Sequence, residues 1–497
     1  AEKDQAREEL PAAFIDIGIP RPAWRHGSTL YNGPAMTKKK NGSLRAELAR
    51  RLRKQPKTAT MELLVPDING IFRGKRIRRS SFEKTCDDGF GFCAGTTLMS
   101  ALGDVLPGMI GDGDGDPDIP CQLVPGSIVP VPWAQRPTLQ ALFRMYEESG
   151  EPYFGDSRAV LERAIKPLSK MGLSIVMATE LEFYLLDAKA RKPTQKSSRV
   201  PGMNRPQPGP QVYIPDDLWD IEAFLDDVYD ACAVQGIPAD TATSEFAPAQ
   251  FEINLAHVDN PVLACDHAVL LKRVVKAVAK KHGFVACFMA KPFAEDSGNG
   301  LHVHMSLVDR NGKNYFSHGR DTLAAPPFSA RLRHAVGGLL KTMPDATLLF
   351  APNANSYRRL LPEYFAPVDL NWGVNHRAVA VRIPVSDAGN LRFEHRAAGA
   401  DANPYLVTAA IAAGVHHGLK NKIDPGRMVE KGEQVRLKTR IPDRWSAAID
   451  KFSRSKVLPA YLGERFCHYY ALNRRGEEHQ FHNTVTQTDF DWYLRAI

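Results

Sequence analysis

The stretch SGNGLHVHMSL, residues 297–307, sets His302 and His304 one residue apart behind alternating glycines. In an extended strand that spacing puts both imidazoles on one face. A structural pair, a metal site and a phosphate site are all open to such a geometry, so the partners decide. Glu180 and Glu182 repeat the spacing in ATELEFYLLD, on an otherwise apolar strand. Two like charges on one strand face are unfavourable unless something positive lies beside them; a solvent-exposed edge is the alternative. Glu245 and Glu252 flank a small-residue turn at Pro248 in SEFAPAQFEINLAH, which lets them converge. Arg392, Glu394 and Arg396 alternate in NLRFEHRAAGADANPY, and taken alone they read first as a structural ion pair.

Taken together, five glutamates and a His-x-His suit hard divalent ions such as Mg²⁺ or Mn²⁺ better than zinc. Six such side chains could hold two or more ions, the arrangement that clamps a phosphoryl group in transfer. Arg359, Arg377, Arg382, Arg392 and Arg396 supply counter-charge for phosphates and a substrate carboxylate. No Walker A pattern occurs, so any ATP is held without a P-loop.

The elements that must position these residues follow from patterning. DSRAVLERAIKPLSKMGL (156–173) is an amphipathic helix with Asp156 as N-cap, leading into the strand SIVMATELEFYLLD (174–187). TATMELLVPDINGIFRGKRIR (58–78) alternates and turns at Asn69-Gly70, a hairpin. Leu44, Leu48 and Leu52 recur at helical spacing inside KKKNGSLRAELARRLRKQPK, predicting a short helix with a solvated basic face. GDGDGDPD (111–118) fails as a calcium loop, because Pro117 and Leu123 stand where glycine and glutamate are needed; it is a turn. The expected organisation is α+β. An N-terminal extension with the basic helix covers 1–57, a small β-rich domain 58–150, and a large catalytic domain 151–497 interrupted by a Pro-rich insertion at 190–216.

At 497 residues two domains are the default, and the formal charge of +8 is concentrated in residues 38–57 and 73–79. No zinc-finger or aromatic RNA-binding signature accompanies that charge, so no nucleic-acid partner is expected. No apolar run approaches the roughly 18 residues of a membrane span; LVTAAIAAGV from Leu406 reads as a buried helix. Seven scattered cysteines without C-x-x-C spacing, and no secretory pattern at the start, predict a cytoplasmic protein. Met36 begins MTKKKNGSL and reads as a natural start.

The segments TELEFYLLD, EFAPAQFE, KPF…SGNGLHVHMSL, NSYRRLLPEYFAP, NHRAVAVRIP and RFEHRAAGADANPYL resemble, in order and spacing, the signatures of the glutamine synthetase superfamily. The resemblance implies a β-grasp-like N-terminal domain and a catalytic domain built on an antiparallel sheet with helices. It implies one metal site of Glu182, Glu245 and Glu252 and a second of Glu180, His302 and Glu394. It implies nucleotide contacts from His304, Ser306, Arg382 and Arg392, and glutamate contacts from Gly298, Arg359 and Arg396. Arg377, Arg382 and Arg396 fall on catalytic arginines. The implied chemistry is phosphorylation of glutamate's γ-carboxylate by ATP, followed by attack of an amine. The implied assembly is a homo-oligomeric ring, a dodecamer, with inter-subunit active sites.

Ammonia-using members carry a flap glutamate, in P-G-Y-E-A-P, that binds ammonium and takes its proton. Here the flap reads PEYFAP, with Phe365 at that position, and Ser297 replaces the usual asparagine of the glycine loop. The loop GFCAGTTLMSALGDVLPG gives no clear counterpart of the aspartate that those members place beside a neighbouring subunit's site. The pattern is similar to the branch that makes γ-glutamyl amides from polyamines, alkylamines or arylamines, with Tyr364, Phe365 and Trp372 as the expected amine pocket. Glutamine synthetase proper and a non-catalytic relative are the alternatives.

Overall fold

The computed structural model describes residues 38–195, 212–317, 328–361, 366–430, 432–433 and 439–497, with side chains from residue 42 onward. The expectations for residues 1–37, for the middle of the 190–216 insertion, and for Tyr364 and Phe365 lie outside the described residues.

Two sheets organise the chain. The first contains β1 (Thr60–Pro66), β2 (Phe72–Arg78), β3 (Phe90–Cys93), β4 (Asp118–Leu123), β5 (Val129–Pro130) and β6 (Thr138–Met145). Its order is β2-β1-β6-β4-β3 with β5 on β6, and β1 and β6 are a central parallel pair. This is the expected β-grasp-like arrangement, beginning with the expected hairpin. Asp67 closes the turn by accepting from the Asn69 and Ile71 amides, and Gly70 takes φ +73, a conformation glycine adopts without a Cβ penalty.

The basic helix Lys38–Lys54 is docked against the loop that leads into β5 and against helix Phe82–Asp88. Leu44 and Leu48 are buried, Leu52 is half-buried, and the Glu47 carboxylate accepts from the Gly126 and Ile128 amides at 2.7 and 2.9 Å. The stretch 111–118 is a turn, with the Asp114 carboxylate taking the Gly111 and Asp116 amides.

The second sheet contains β7 (Ser174–Asp187), β8 (Ala239–Ser244), β9 (Gln250–Leu255), β10 (Phe284–Cys287), β11 (Leu301–Val308), β12 (Trp372–Val374), β13 (Val381–Ile383) and β14 (Phe393–His395). The order is β12-β13-β14-β11-β7-β9-β8, with β10 also on β7, and only β12 and β13 run parallel. In β7 the period of two separates buried Ile175, Met177, Thr179, Leu181 and Phe183 from Glu180 and Glu182 on the other face. Helix Ser157–Lys170 enters β7 as expected, with the Asp156 carboxylate capping Arg158 and Ala159. Helices Ala330–Phe350 and Pro404–Asn421 pass so closely that a Cβ on Gly338 would meet the Gly414 carbonyl at 2.1 Å.

The hairpin tip of the first sheet joins the C-terminal half. The Asp67 carbonyl accepts from Asn403 Nδ2 (2.8 Å) and Ser157 Oγ (3.4 Å), while Arg474 donates to Asn69 Oδ1 at 2.5 Å. Asn403 also caps helix Pro404–Asn421.

Candidate active site

Strand register assembles the cluster. Across β8, β9, β7, β11, β14 and β13 the paired residues are Thr243 with Glu252, Glu252 with Glu182, Glu180 with His302, His304 with Glu394, and Glu394 with Arg382. These eight residues, from Glu180 to Glu394 in sequence, thus share one face of one sheet. Glu245 joins them from the turn after β8, where Thr243 Oγ1 donates to it at 3.4 Å.

Glu180 lies between the histidines, 3.0 Å from His302 Nδ1 and 2.8 Å from His304 Nε2. Arg392 Nε donates to His304 Nδ1 at 3.3 Å, so the imidazole proton of His304 sits on Nε2, facing Glu180. Glu394 is buried and doubly paired, to Arg382 Nη1 at 2.6 Å and to Arg396 Nη1. Its expected alternation partner Arg392 turns instead to His304, and Arg382 reaches Glu394 from the neighbouring strand.

These contacts divide the carboxylates electrostatically. Burial raises Glu180, but hydrogen bonds from His302 and His304 outweigh it and hold the group well below its ordinary value. Burial likewise opposes Glu394, and Arg396 overcomes it, keeping the carboxyl at about 2. At Glu245 burial, then the charge of Glu182, outweighs the charge of Arg377 and pushes the carboxyl up to about 8. Glu252 is raised well above its ordinary value by burial and by Glu180, Glu182 and Glu245.

Three sets of ligand atoms lie within 4.8 Å of one another: Glu182–Glu245–Glu252, Glu180–Glu252–His302 and Glu180–His304–Glu394. The first is one of the two sets the sequence suggests. In the second suggested set, His302 Nδ1 is 3.0 Å from Glu180 and 4.0 Å from Glu394, and His304 stands closer to that pair. Carboxylates forced up in pKa by one another, with oxygen donors predominating, fit a hard divalent cation.

The arginines ring this cluster. Arg359 is buried beneath the glycine loop and donates to the Ala397 and Arg396 carbonyls at 3.1 and 3.4 Å. A Cβ on Gly298 would meet Arg359 Cγ at 2.7 Å, so the loop rests on the arginine's stem. Among the described residues the buried Nε of Arg382 and that of Arg396 have no partner, which leaves donors available to an anion. Arg377 is exposed, and its charge is felt by Glu245. Ser306 continues the His302–His304 row along β11 and is half-buried.

Trp372 is a correction. It pairs with Val381, one residue off Arg382, and so faces away from the carboxylates. Its side chain is buried against Phe328 and Arg333, with Nε1 donating to the Gly426 carbonyl at 3.3 Å. It offers no wall to an amine.

Several residues at the site escape a reading of spacings. Gln250 and Asn299 are fully buried amides that hold the glycine loop, and Tyr213 stands within electrostatic reach of Arg377 and Glu245. An asparagine inside a glycine loop was the one visible hint. Nothing in a Pro-rich insertion marks out its tyrosine.

A sheet face bearing clustered carboxylates, two imidazoles and a rim of arginines is apparatus for cation-assisted transfer of a charged group. The catalytic-domain model of glutamine synthetase matches residues 154–493. Gamma-glutamylputrescine synthetase PuuA of Escherichia coli (strain K12) is 41% identical over 453 residues, 90% of this chain and 94% of the relative. Glutamine synthetase of Pyrococcus abyssi (strain GE5 / Orsay) is 30% identical over 424 residues, covering 84% and 89%. A solved GmaS/ADP complex superposes with a TM-score of 0.76 at 25% identity, covering 90% of this chain and 99% of that one. The chain belongs to the glutamine synthetase family. It is a carbon–nitrogen ligase of that type, dependent on ATP.

Proposed function

We propose that this enzyme joins the γ-carboxylate of glutamate to an organic amine through a γ-glutamyl phosphate. Phe365 carries the choice of amine over ammonia. A phenyl ring cannot accept the proton of an ammonium ion, but it can pack against carbon or offer its face to a cation. The relatives support the choice, with 41% identity to a γ-glutamylputrescine synthetase against 30% to a glutamine synthetase.

In this reading Glu182, Glu245 and Glu252 hold one Mg²⁺ or Mn²⁺, and Glu180, His302 and Glu394 hold another. Cations there supply neutralisation of charge on the phosphoryl oxygens. Arg359, Arg396 and the Gly298 backbone receive glutamate and aim its γ-carboxylate at ATP. A γ-carboxylate oxygen attacks the γ-phosphorus and ADP leaves; Arg377 and Arg382 stabilise the charge spread in that step. His304, Ser306 and Arg392 orient the nucleotide phosphates. The amine nitrogen then attacks the acyl carbon, phosphate departs, and the nitrogen gives up a proton to form the amide. Tyr364 and Phe365 form the amine's apolar wall.

The same reading divides the chain into the extension 1–57, the β-grasp-like domain 58–150 and the catalytic domain 151–497. The two sheets, ending at Met145 and beginning at Ser174, support that division. The assembly is a homo-oligomeric ring, and the compartment is the cytoplasm, to which the seven unpaired cysteines are suited. Among the described residues no helix is long and apolar enough to cross a membrane.

The deciding assay is phosphate release with glutamate and each of ammonia, putrescine, butylamine and aniline at matched free-base concentration, with products identified by mass. An organic amine should exceed ammonia by at least about tenfold in kcat/KM, equivalent to about 1.4 kcal/mol. Ammonia emerging as the best substrate restores glutamine synthetase proper.

A further inference from the structure

Gln250 has no role in the scheme above, yet it lies between its two halves. It follows the turn that carries Glu245 and precedes Glu252 by two residues. Its side chain is buried, and Nε2 donates to the Gly298 carbonyl and to Asn299 Oδ1, both at 3.1 Å. Its Oε1 accepts from the Ala247 amide at 3.3 Å, which fixes the orientation of the amide group. Asn299, fully buried, passes the hold onward by donating to the Cys287 and Met289 carbonyls at 3.2 and 2.9 Å.

Three features separate this from ordinary satisfaction of a core amide. Both donor contacts of Gln250 leave its own hairpin and end on the glycine loop. The preceding residue, Ala249, is held at φ +60, a left-handed conformation that a non-glycine residue keeps only where its surroundings over-determine it. Finally, the loop has no slack beneath it. A Cβ on Gly298 would lie 2.5 Å from the Ala290 carbonyl and 2.7 Å from Arg359 Cγ. A displaced loop therefore displaces Arg359 as well.

We propose that Gln250 is a positioning residue for glutamate: through Gly298 and Asn299 it sets the height of the glycine loop over Arg359, and so the shape of the site that receives the α-carboxylate and α-amine of the amino-acid substrate. The proposal rests on the functional reading above, in which Gly298 and Arg359 bind glutamate. It differs from a catalytic role, because Gln250 reaches the substrate only through the loop.

The test is steady-state kinetics of the full-length enzyme with Gln250→Leu, which removes the donor, and Gln250→Glu, which keeps the shape but turns an acceptor toward the Gly298 carbonyl. Both should raise KM for glutamate about tenfold, the effect of losing the hydrogen bond that reaches the substrate through the Gly298 carbonyl. KM for ATP, kcat at saturating glutamate and the thermal shift on adding Mg²⁺ should stay within about twofold of wild type. Should Gln250→Leu not fold, the isosteric Gln250→Glu carries the test. A folded variant with wild-type KM for glutamate overturns the proposal, as does a loss spread evenly over glutamate, ATP and kcat. Wild-type enzyme whose phosphate release does not saturate with glutamate overturns the functional reading itself, a result visible before any variant is made.

Discussion

Glu182 and Glu252 are register partners across the β7–β9 ladder, so two carboxylates stand directly opposite each other on one sheet face. Such like-charge pairs destabilise a sheet. Among the described residues Arg382 and Arg396 are both committed to Glu394, at the far side of the cluster. The metal-free fold therefore carries repulsion that one cation would relieve.

Thermal unfolding should show it. Mg²⁺ or Mn²⁺ should raise Tm, with about 2.7 kcal/mol of stabilisation at a hundred times Kd. Glu252→Gln should raise the metal-free Tm above about pH 8, where the raised carboxyls have lost their protons, and at any pH lose most of the cation-dependent shift and abolish turnover. A Glu252→Gln variant that keeps both shift and turnover would remove this assignment.

Cation binding should also depend on pH. Glu245 rises from an ordinary 4.5 to about 8, and Glu252 moves the same way. A raised carboxyl binds its proton more tightly when folded, so its stabilising contribution is complete below pH 4.5 and is lost as pH rises through about 8. A cation must displace those protons, so its affinity should climb from pH 6 to pH 8. Calorimetry in buffers of different ionisation enthalpy should show proton release, and its absence would contradict the shared burial of these carboxylates.

The arginines should separate by role. Arg382→Ala should lower kcat by about a hundredfold with a small change in KM for glutamate, because its guanidinium acts on the transferring group. Arg359→Ala should chiefly raise KM for glutamate. If both variants change only KM for ATP, the roles given to them are wrong.

Substrate choice should respond to one flap residue. Phe365→Glu restores a carboxylate where ammonia-using relatives have one, and it should shift the ratio of kcat/KM for ammonia to that for the best organic amine by about tenfold or more toward ammonia. An unchanged ratio would place amine selection elsewhere.

Local chemistry made much of this legible. The spacing of two in Glu180-x-Glu182 and His302-x-His304 has only one meaning on a strand, and the Asp156 cap and the Asn69-Gly70 turn are short-range signals. Which strand lies beside which is not short-range. The pairing of Arg382 with Glu394, in place of Arg392, depends on the β13–β14 register, while Arg396 keeps its expected place. Trp372 was misplaced for the same reason: an aromatic near the flap in sequence falls on the opposite face once Gly373 is opposite Arg382. Gln250 gave no sign, because a buried amide looks like any polar residue until its acceptors are known.

The contact between Asp67 and Asn403 spans 336 residues. It bears on the time course of folding, since native contacts of such high separation form late and slowly. During synthesis the first sheet is complete by Met145, but its hairpin tip waits for 258 further residues (403 − 145) before Asn403 emerges to meet it. Through that interval the tip carbonyl keeps its nearer partners, the Gly70 amide and Ser157 Oγ, and lacks only Asn403. Because the same asparagine caps helix Pro404–Asn421, one side chain ties the start of that helix to the hairpin tip.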